Sequence, residues 1–187
     1  MNFDNTIQEM QKFGRSVVKG GKTILKNFRP YAKTTSKNTL YNEFDYLVTS
    51  GKNTVSCEFR FGGADDYWEY VDQGVQGAPG KPEYLKKAGR PRAKGSKFRF
   101  KDKMPPRRAI DRWVIGKPLK AARDDSGRFV SRKSLVFLIQ RSIFYKGLQK
   151  TMFFSRPYEK EFIKREKRIT EAFAKDIETE LETINLV

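Results

Sequence analysis

Near the end of the chain, apolar side chains recur at a spacing that only a helix can gather onto one side. Phe162, Ile169, Phe173, Ile177, Leu181 and Ile184 follow one another at intervals of seven, four, four, four and three residues. That pattern winds a single stripe over about seven turns, spanning 157–184, with Ser155 and Pro157 opening the helix. A stripe of this length cannot bury itself, so the rest of the chain or a neighbouring molecule must cover it. Just upstream, 134–146 repeats the helical pattern, with Leu135, Leu138, Ile139, Ser142 and Ile143 on one face. Ser131 or Ser134 is its cap, and Gly147 follows its last residue. The connector between the two helices carries Met152, Phe153 and Phe154, three apolar side chains predicted to anchor in the core.

The first part of the chain supplies a partner for this pair. Ile7, Met10, Phe13, Val17, Ile24 and Phe28 recur near helical spacing, with Asp4 or Thr6 as cap and Pro30 as stop. Gly14, Gly20 and Gly21 predict a bend or interruption near residue 20. Two β runs follow at 44–50 and 54–62, separated by Gly51, Lys52 and Asn53. In the second run Val55, Cys57, Phe59 and Phe61 alternate with Ser56, Glu58 and Arg60, which predicts a half-buried antiparallel hairpin. Residues 65–77 hold Tyr67, Trp68, Tyr70 and Val71, and periodicity leaves a third strand and a helical turn both open. The expected fold is a single α+β domain over 1–187. In it a small antiparallel sheet, drawn from 44–75, packs under an N-terminal helix and two C-terminal helices, and a long basic Gly/Pro-rich arm is inserted.

Charge locates that arm. Residues 1–80 carry 10 basic and 9 acidic side chains, 81–133 carry 19 and 5, and 134–187 carry 10 and 8. Most of the formal net charge of +17 therefore sits in the middle of the chain. Within it, Gly74, Gly77, Pro79, Gly80, Pro82, Gly89, Pro91 and Gly95 break regular structure across 76–104, so the segment reads as an extended arm. Lys97, Arg99 and Lys101 alternate with Phe98 and Phe100 as the returning strand of a long hairpin. The Gly89-Arg90-Pro91-Arg92 core resembles an AT-hook, a basic segment that lies in the minor groove of A·T-rich DNA. Non-specific contact with phosphate or with an acidic protein, and a solvated loop, are the competing readings. The expected electrostatic contacts to DNA or a partner are Lys86, Lys87, Arg90, Arg92, Lys94, Arg99, Arg107 and Arg108.

What is missing narrows the chemistry. The chain has no histidine and one cysteine, Cys57, which excludes disulfides within the chain, the usual zinc sites and histidine-based catalysis. Cys57 falls on the apolar side of its strand, as a core residue does. Gly62-Gly63-Ala64-Asp65-Asp66 lacks the lysine and helix of a phosphate-binding loop. Asp65/Asp66 and Asp124/Asp125 read as solvated turns, so no catalytic residue, metal or cofactor is assigned. No run approaches eighteen apolar residues and the N-terminus has no signal-peptide pattern, so no membrane association is expected and synthesis in a reducing cytoplasm is.

The last helix carries its charges in the order its dipole disfavours. Lys160, Lys164, Arg165, Lys167 and Arg168 lie toward its start, while Glu171, Asp176, Glu178, Glu180 and Glu182 crowd its end. These acids, with Leu181, are predicted to form an interface with a basic surface of a neighbouring subunit.

Three segments also share an order and spacing. The first is Tyr67-Trp68-Glu69-Tyr70-Val71-Asp72-Gln73-Gly74-Val75. The second is Pro105-Pro106 with Ile110, Trp113-Val114 and Lys117, and the third is Arg141-Ser142-Ile143 with Gly147, Phe153-Phe154, Arg156-Pro157 and Tyr158. Together they resemble the tail-completion and head-tail joining (neck) proteins of tailed bacteriophages. The Lys-rich and aromatic-rich helices are similar to the neck ring proteins of crAss-like phages, although the arm at 76–104 departs from the compact loop of the smaller members. The resemblance implies a non-enzymatic structural subunit of the virion, assembled in the host cytoplasm. It would form a closed ring of about six or twelve copies around the DNA channel. Its implied partners are other copies of itself, the portal, adjacent neck or tail rings and, non-specifically, packaged DNA. Tyr67, Trp68, Tyr70, Trp113, Phe153 and Phe154 are the expected structural anchors. The rival reading is an architectural DNA-binding protein that uses the Arg90-containing loop.

Overall fold

The computed structural model describes residues 3–28, 39–80, 93–115 and 126–185. Along them run α1 (Asp4–Asn27), α2 (Thr39–Glu43), β1 (Asp45–Ser50), β2 (Val55–Arg60), a 3-10 turn at Gly62–Ala64, α3 (Trp68–Gln73), α4 (Arg107–Ile115), α5 (Arg132–Lys146) and α6 (Ser155–Asn185). The protein is α+β and mostly helical, with one two-stranded antiparallel sheet. It gathers into two units, the first comprising Met1–Asp72 with Thr151–Val187 and the second Gln73–Lys150.

In the first unit α1 and α6 lie antiparallel. Asn5 and Thr6 meet Asp176, Ser16 meets Arg165, and Gly20 lies against Pro157. The expected interruption of α1 is absent, because its glycines serve close packing within one continuous helix. A Cβ at Gly14 would stand 2.2 Å from the Tyr46 ring, and one at Gly21 would stand 2.6 Å from Phe44 and 2.8 Å from the Phe153 carbonyl. The helix accepts the intrinsic cost of glycine so that β1 and the 151–154 connector can approach its backbone.

β1 and β2 pair from Asp45↔Arg60 to Ser50↔Val55, and Gly51 closes the turn by donating its N–H to the Thr54 carbonyl at 2.7 Å. Val55, Cys57 and Phe59 face inward, as their alternation predicts. The sheet stops at Arg60 and does not extend to residue 75, since 62–73 forms the 3-10 turn, a further turn and α3. Helical spacing turns Trp68, Val71 and Asp72 inward and leaves Tyr67 and Tyr70 exposed, so these two tyrosines are not the buried anchors expected of them.

The core of this unit is built on phenylalanine. Phe44 stacks on Phe61 at 5.1 Å and meets Phe153 edge-on at 5.6 Å. Trp68 also stacks on Phe61, at 4.2 Å, and Phe154 meets Phe59, Phe61 and Trp68 edge to face. Offset and edge-to-face pairs of this kind add about 0.5–1.5 kcal/mol each to the burial of their area.

Two buried aspartates close the ends of the long helices. Asp72 Oδ1 accepts from the N–H groups of Phe154 (2.8 Å) and Ser155 (3.2 Å), and its Oδ2 accepts from the Ser155 hydroxyl. It thereby caps α6 from α3. On α6, Asp176 Oδ2 accepts from Thr6 N (2.8 Å) and Thr6 Oγ1 (2.6 Å), while Oδ1 accepts from Asn5 N (3.2 Å) and Asn5 Nδ2 (2.8 Å). The residue before α1 is Phe3, whose side chain offers no cap, so neither Asp4 nor Thr6 plays the expected role. The cap comes from 170 residues away. Asp176 is therefore used within the chain, buried against Thr6 and not presented on the surface with the other late acids of α6. Its position also explains part of the reversed charge order on α6, because in an antiparallel pair the late part of α6 lies beside the positive N-terminus of α1.

Candidate functional site

The second unit is where the charge resides. Gln73–Lys150 carries 22 basic and 5 acidic side chains, net +17, while the first unit carries 17 of each, net 0. The whole formal charge of the protein therefore belongs to the second unit, and the first is neutral.

The base of the arm is ordered by backbone pairing. Val75 exchanges hydrogen bonds with Leu148 (3.1 and 2.8 Å), and Ala78 N donates to the Phe144 carbonyl at 2.8 Å. On the other side Gln76 donates to Phe98 O (2.8 Å) and accepts from Phe100 N (3.0 Å), giving a single parallel bridge to Arg99 in place of the expected antiparallel return. The strap 74–78 thus runs between the end of α5 and the segment 96–100. Gly147, at φ 80°, lets α5 end abruptly enough for this strap to pass, since a Cβ there would stand 2.1 Å from the Val75 carbonyl. Lys94, Lys97, Arg99, Lys101 and Lys103 are exposed along the returning segment, with Phe98 and Phe100 half-buried between them.

Pro105 and Pro106 lead into α4, and Gln140 holds that start by donating Nε2 to the Pro105 carbonyl at 2.7 Å. Ile110, Val114 and Val136 are the buried contacts between α4 and α5. Five consecutive apolar residues, 135–139, place apolar surface on every side of α5, yet only Val136 and Phe144 of the helix are buried. Leu138, expected in the core, is 52% exposed, and Trp113, expected as an anchor, is 50% exposed. Between the helices lies an open groove of about 260 Å³ lined by Ala109, Ile110, Trp113, Ile139 and Ile143. Arg107, Arg108 and Arg112 stand exposed on the same helix as Trp113.

No family model, curated protein or solved structure matches this chain.

Of the residues singled out as electrostatic contacts, Lys94, Arg99, Arg107 and Arg108 are all exposed in the second unit. Lys86, Lys87, Arg90 and Arg92, and with them the AT-hook-like core, lie outside the described residues. Of the interface acids, Glu171, Glu178 and Glu182 are exposed, Glu180 is half-buried and Leu181 is 54% exposed. Phe153 is fully buried, whereas Trp68 and Phe154 are half-buried around it.

Cys57 is half-buried and burial pushes its thiol up to about 11, which keeps it protonated and a poor nucleophile at neutral pH. The described helices include none long and apolar enough to cross a membrane.

One group of cations escaped the sequence reading. Arg15, Lys19, Lys22 and Lys26 follow at intervals of four, three and four along α1 and line one side of a groove of about 490 Å³, closed on the other side by Tyr41, Asp45 and Tyr46. The spacing was legible. The balanced net charge of 1–80 hid it, because of the acids of that stretch only Asp45 lines the groove.

Proposed function

We propose that this protein is a structural, non-catalytic subunit of a cyclic ring in the neck of a tailed bacteriophage, joining head to tail around the DNA channel. The sequential resemblance across 67–75, 105–117 and 141–158 suggests this reading. The observation that carries it in the fold is the second unit, whose helix α5 turns apolar residues to every side over 135–139 while Leu138, Phe137 and Trp113 remain about half exposed. Exposed apolar surface gathered in this way marks an interaction site, and neighbouring copies in a ring would cover it. The acidic end of α6, with Leu181, offers a surface complementary in charge to that unit. Portal and adjacent neck or tail rings would contact the remaining exposed arms.

Size-exclusion chromatography with light scattering tests the proposal, followed by electron microscopy of the eluted particle. A closed ring of about six or more copies is expected. A monomer at every concentration would refute it. The segregation of the entire +17 charge in one unit favours one alternative, an architectural DNA-binding protein, for which a monomer with strongly salt-dependent DNA affinity is expected.

A further inference from the structure

We infer that the groove along α1 is a binding site for a row of nucleic-acid phosphates, separate from the basic arm and independent of the ring reading. Arg15, Lys19, Lys22 and Lys26 occupy one edge of the groove, on successive turns of one helix face. At about 1.5 Å per residue the row extends roughly 16 Å, with a charge every 4.5–6 Å. That linear, evenly stepped array fits the phosphates of one polynucleotide strand, whether alone or within a duplex.

Two further observations point to a ligand. None of the four cations forms an ion pair with a described residue, although Asp45 lines the same groove. Like charges at i,i+3 and i,i+4 repel, so α1 carries three unfavourable neighbour pairs in sequence. The helix dipole accounts for Lys26 at the C-terminal end, but not for Arg15 and Lys19 in the middle. An anion laid along the row removes that repulsion. The groove also has a shape that a solvated helix face lacks, since Tyr41 and Tyr46 form its opposite wall and are half-buried there. Their rings offer surface to a base or sugar once the phosphates are in register, as in other single-strand grooves. Asp45 at the wall leaves room for a row of anions only on the α1 side.

The test uses the full-length protein and a labelled strand of about 20 nucleotides, alone or as duplex, with binding followed by anisotropy across a salt series. The variant is Lys19→Gln with Lys22→Gln and Lys26→Gln. Losing three phosphate contacts is expected to flatten the dependence of log K on log salt by about 2 for the single strand or about 3 for the duplex. At about 0.1 M salt that corresponds to roughly a hundredfold weaker binding of the single strand. Whichever form shows its full change identifies the source of the phosphate row.

A second measurement on the unaltered protein asks whether DNA protects Lys19, Lys22 and Lys26 from acetylation, as expected. An unchanged salt slope with unprotected lysines overturns the inference and assigns all DNA contact to the second unit. Equal protection by a sulfated polysaccharide also overturns it, since the site would then not be selective for nucleic acid. The variant should fold normally and melt no lower than wild type, because it removes repulsion. A ring that persists in the variant leaves the neck reading intact whatever the binding result.

Discussion

Replacing Asp176 by alanine should destabilise the first unit far more than its place among surface acids suggests. Its carboxylate takes four hydrogen bonds from Asn5 and Thr6, and both it and Thr6 are almost wholly buried, at 4% and 2% exposure. Asn5 is exposed, so water can replace what its donors lose. The Thr6 N–H and hydroxyl cannot be rehydrated so readily, and each unsatisfied buried donor costs about 1–3 kcal/mol. Loss of a helix cap alone costs about 0.5–2 kcal/mol. The contributions overlap, and about 3 kcal/mol in total is expected, a large share of the roughly 5–15 kcal/mol that holds a typical protein folded. Urea unfolding followed by far-UV circular dichroism measures it directly. A thermal scan should show a fall of about 6–12 °C. Glu178→Ala, on the exposed side of the same helix end, is the control and should change stability by less than about 0.5 kcal/mol. In a double-mutant cycle with Thr6→Val, the coupling should exceed about 1 kcal/mol. If Asp176→Ala melted within a degree or so of wild type, or showed no coupling to Thr6, the capping argument would be wrong.

Four other outcomes follow from the same geometry. Burial alone would raise the Asp176 carboxyl, but hydrogen bonds from Thr6 and Asn5 outweigh it and hold the group below its ordinary value of 3.8. Its stabilisation is therefore complete above pH 3.8 and is lost as pH falls through the lower folded value, so the stability gap between wild type and Asp176→Asn should be flat from neutrality to about pH 5 and close in acid. Asp72→Ala should cost about 2–3 kcal/mol by uncapping α6 at Phe154 and Ser155, measured by the same urea unfolding. Gly14→Ala should destabilise by about 1–3 kcal/mol, because its Cβ would strike Tyr46, whereas alanine usually stabilises a helix relative to glycine. Cys57 should react with iodoacetamide at pH 8 many times more slowly than a free thiol, since burial raises it to about 11, and a rate equal to that of a small-molecule thiol would contradict its burial.

Elements whose periodicity is local were legible in the sequence. The stripe from Phe162 to Leu181 and the alternation from Val55 to Phe59 each state their own geometry, because a side chain's face depends only on its backbone's repeat. Residues 65–77 did not, since a short aromatic run satisfies both periods, and contact with Phe61 and Phe154 decided for the helix. The glycines of α1 misled for a related reason. Glycine weakens an isolated helix, but here Tyr46, Phe44 and Pro157 pack where side chains would stand, and the helix runs on uninterrupted. Half of the expected electrostatic residues are exposed in the basic unit, while the α1 row was hidden by averaging charge along the chain when what matters is charge across a surface.

By itself, then, the sequence determined that this chain forms long amphipathic helices with a small hairpin, concentrates positive charge in its middle, and lacks the side chains of histidine or disulfide chemistry. Only the tertiary structure decided that the charge belongs to one unit and none of it to the other, and that α6 is partnered by α1. It also decided that the late acids of α6 are not one group, since Asp176 caps a helix while Glu178 and Glu182 face solvent. The reason is physical: composition and periodicity act through neighbours along the chain, whereas caps, close approaches and charge balance act between residues as far apart as Thr6 and Asp176.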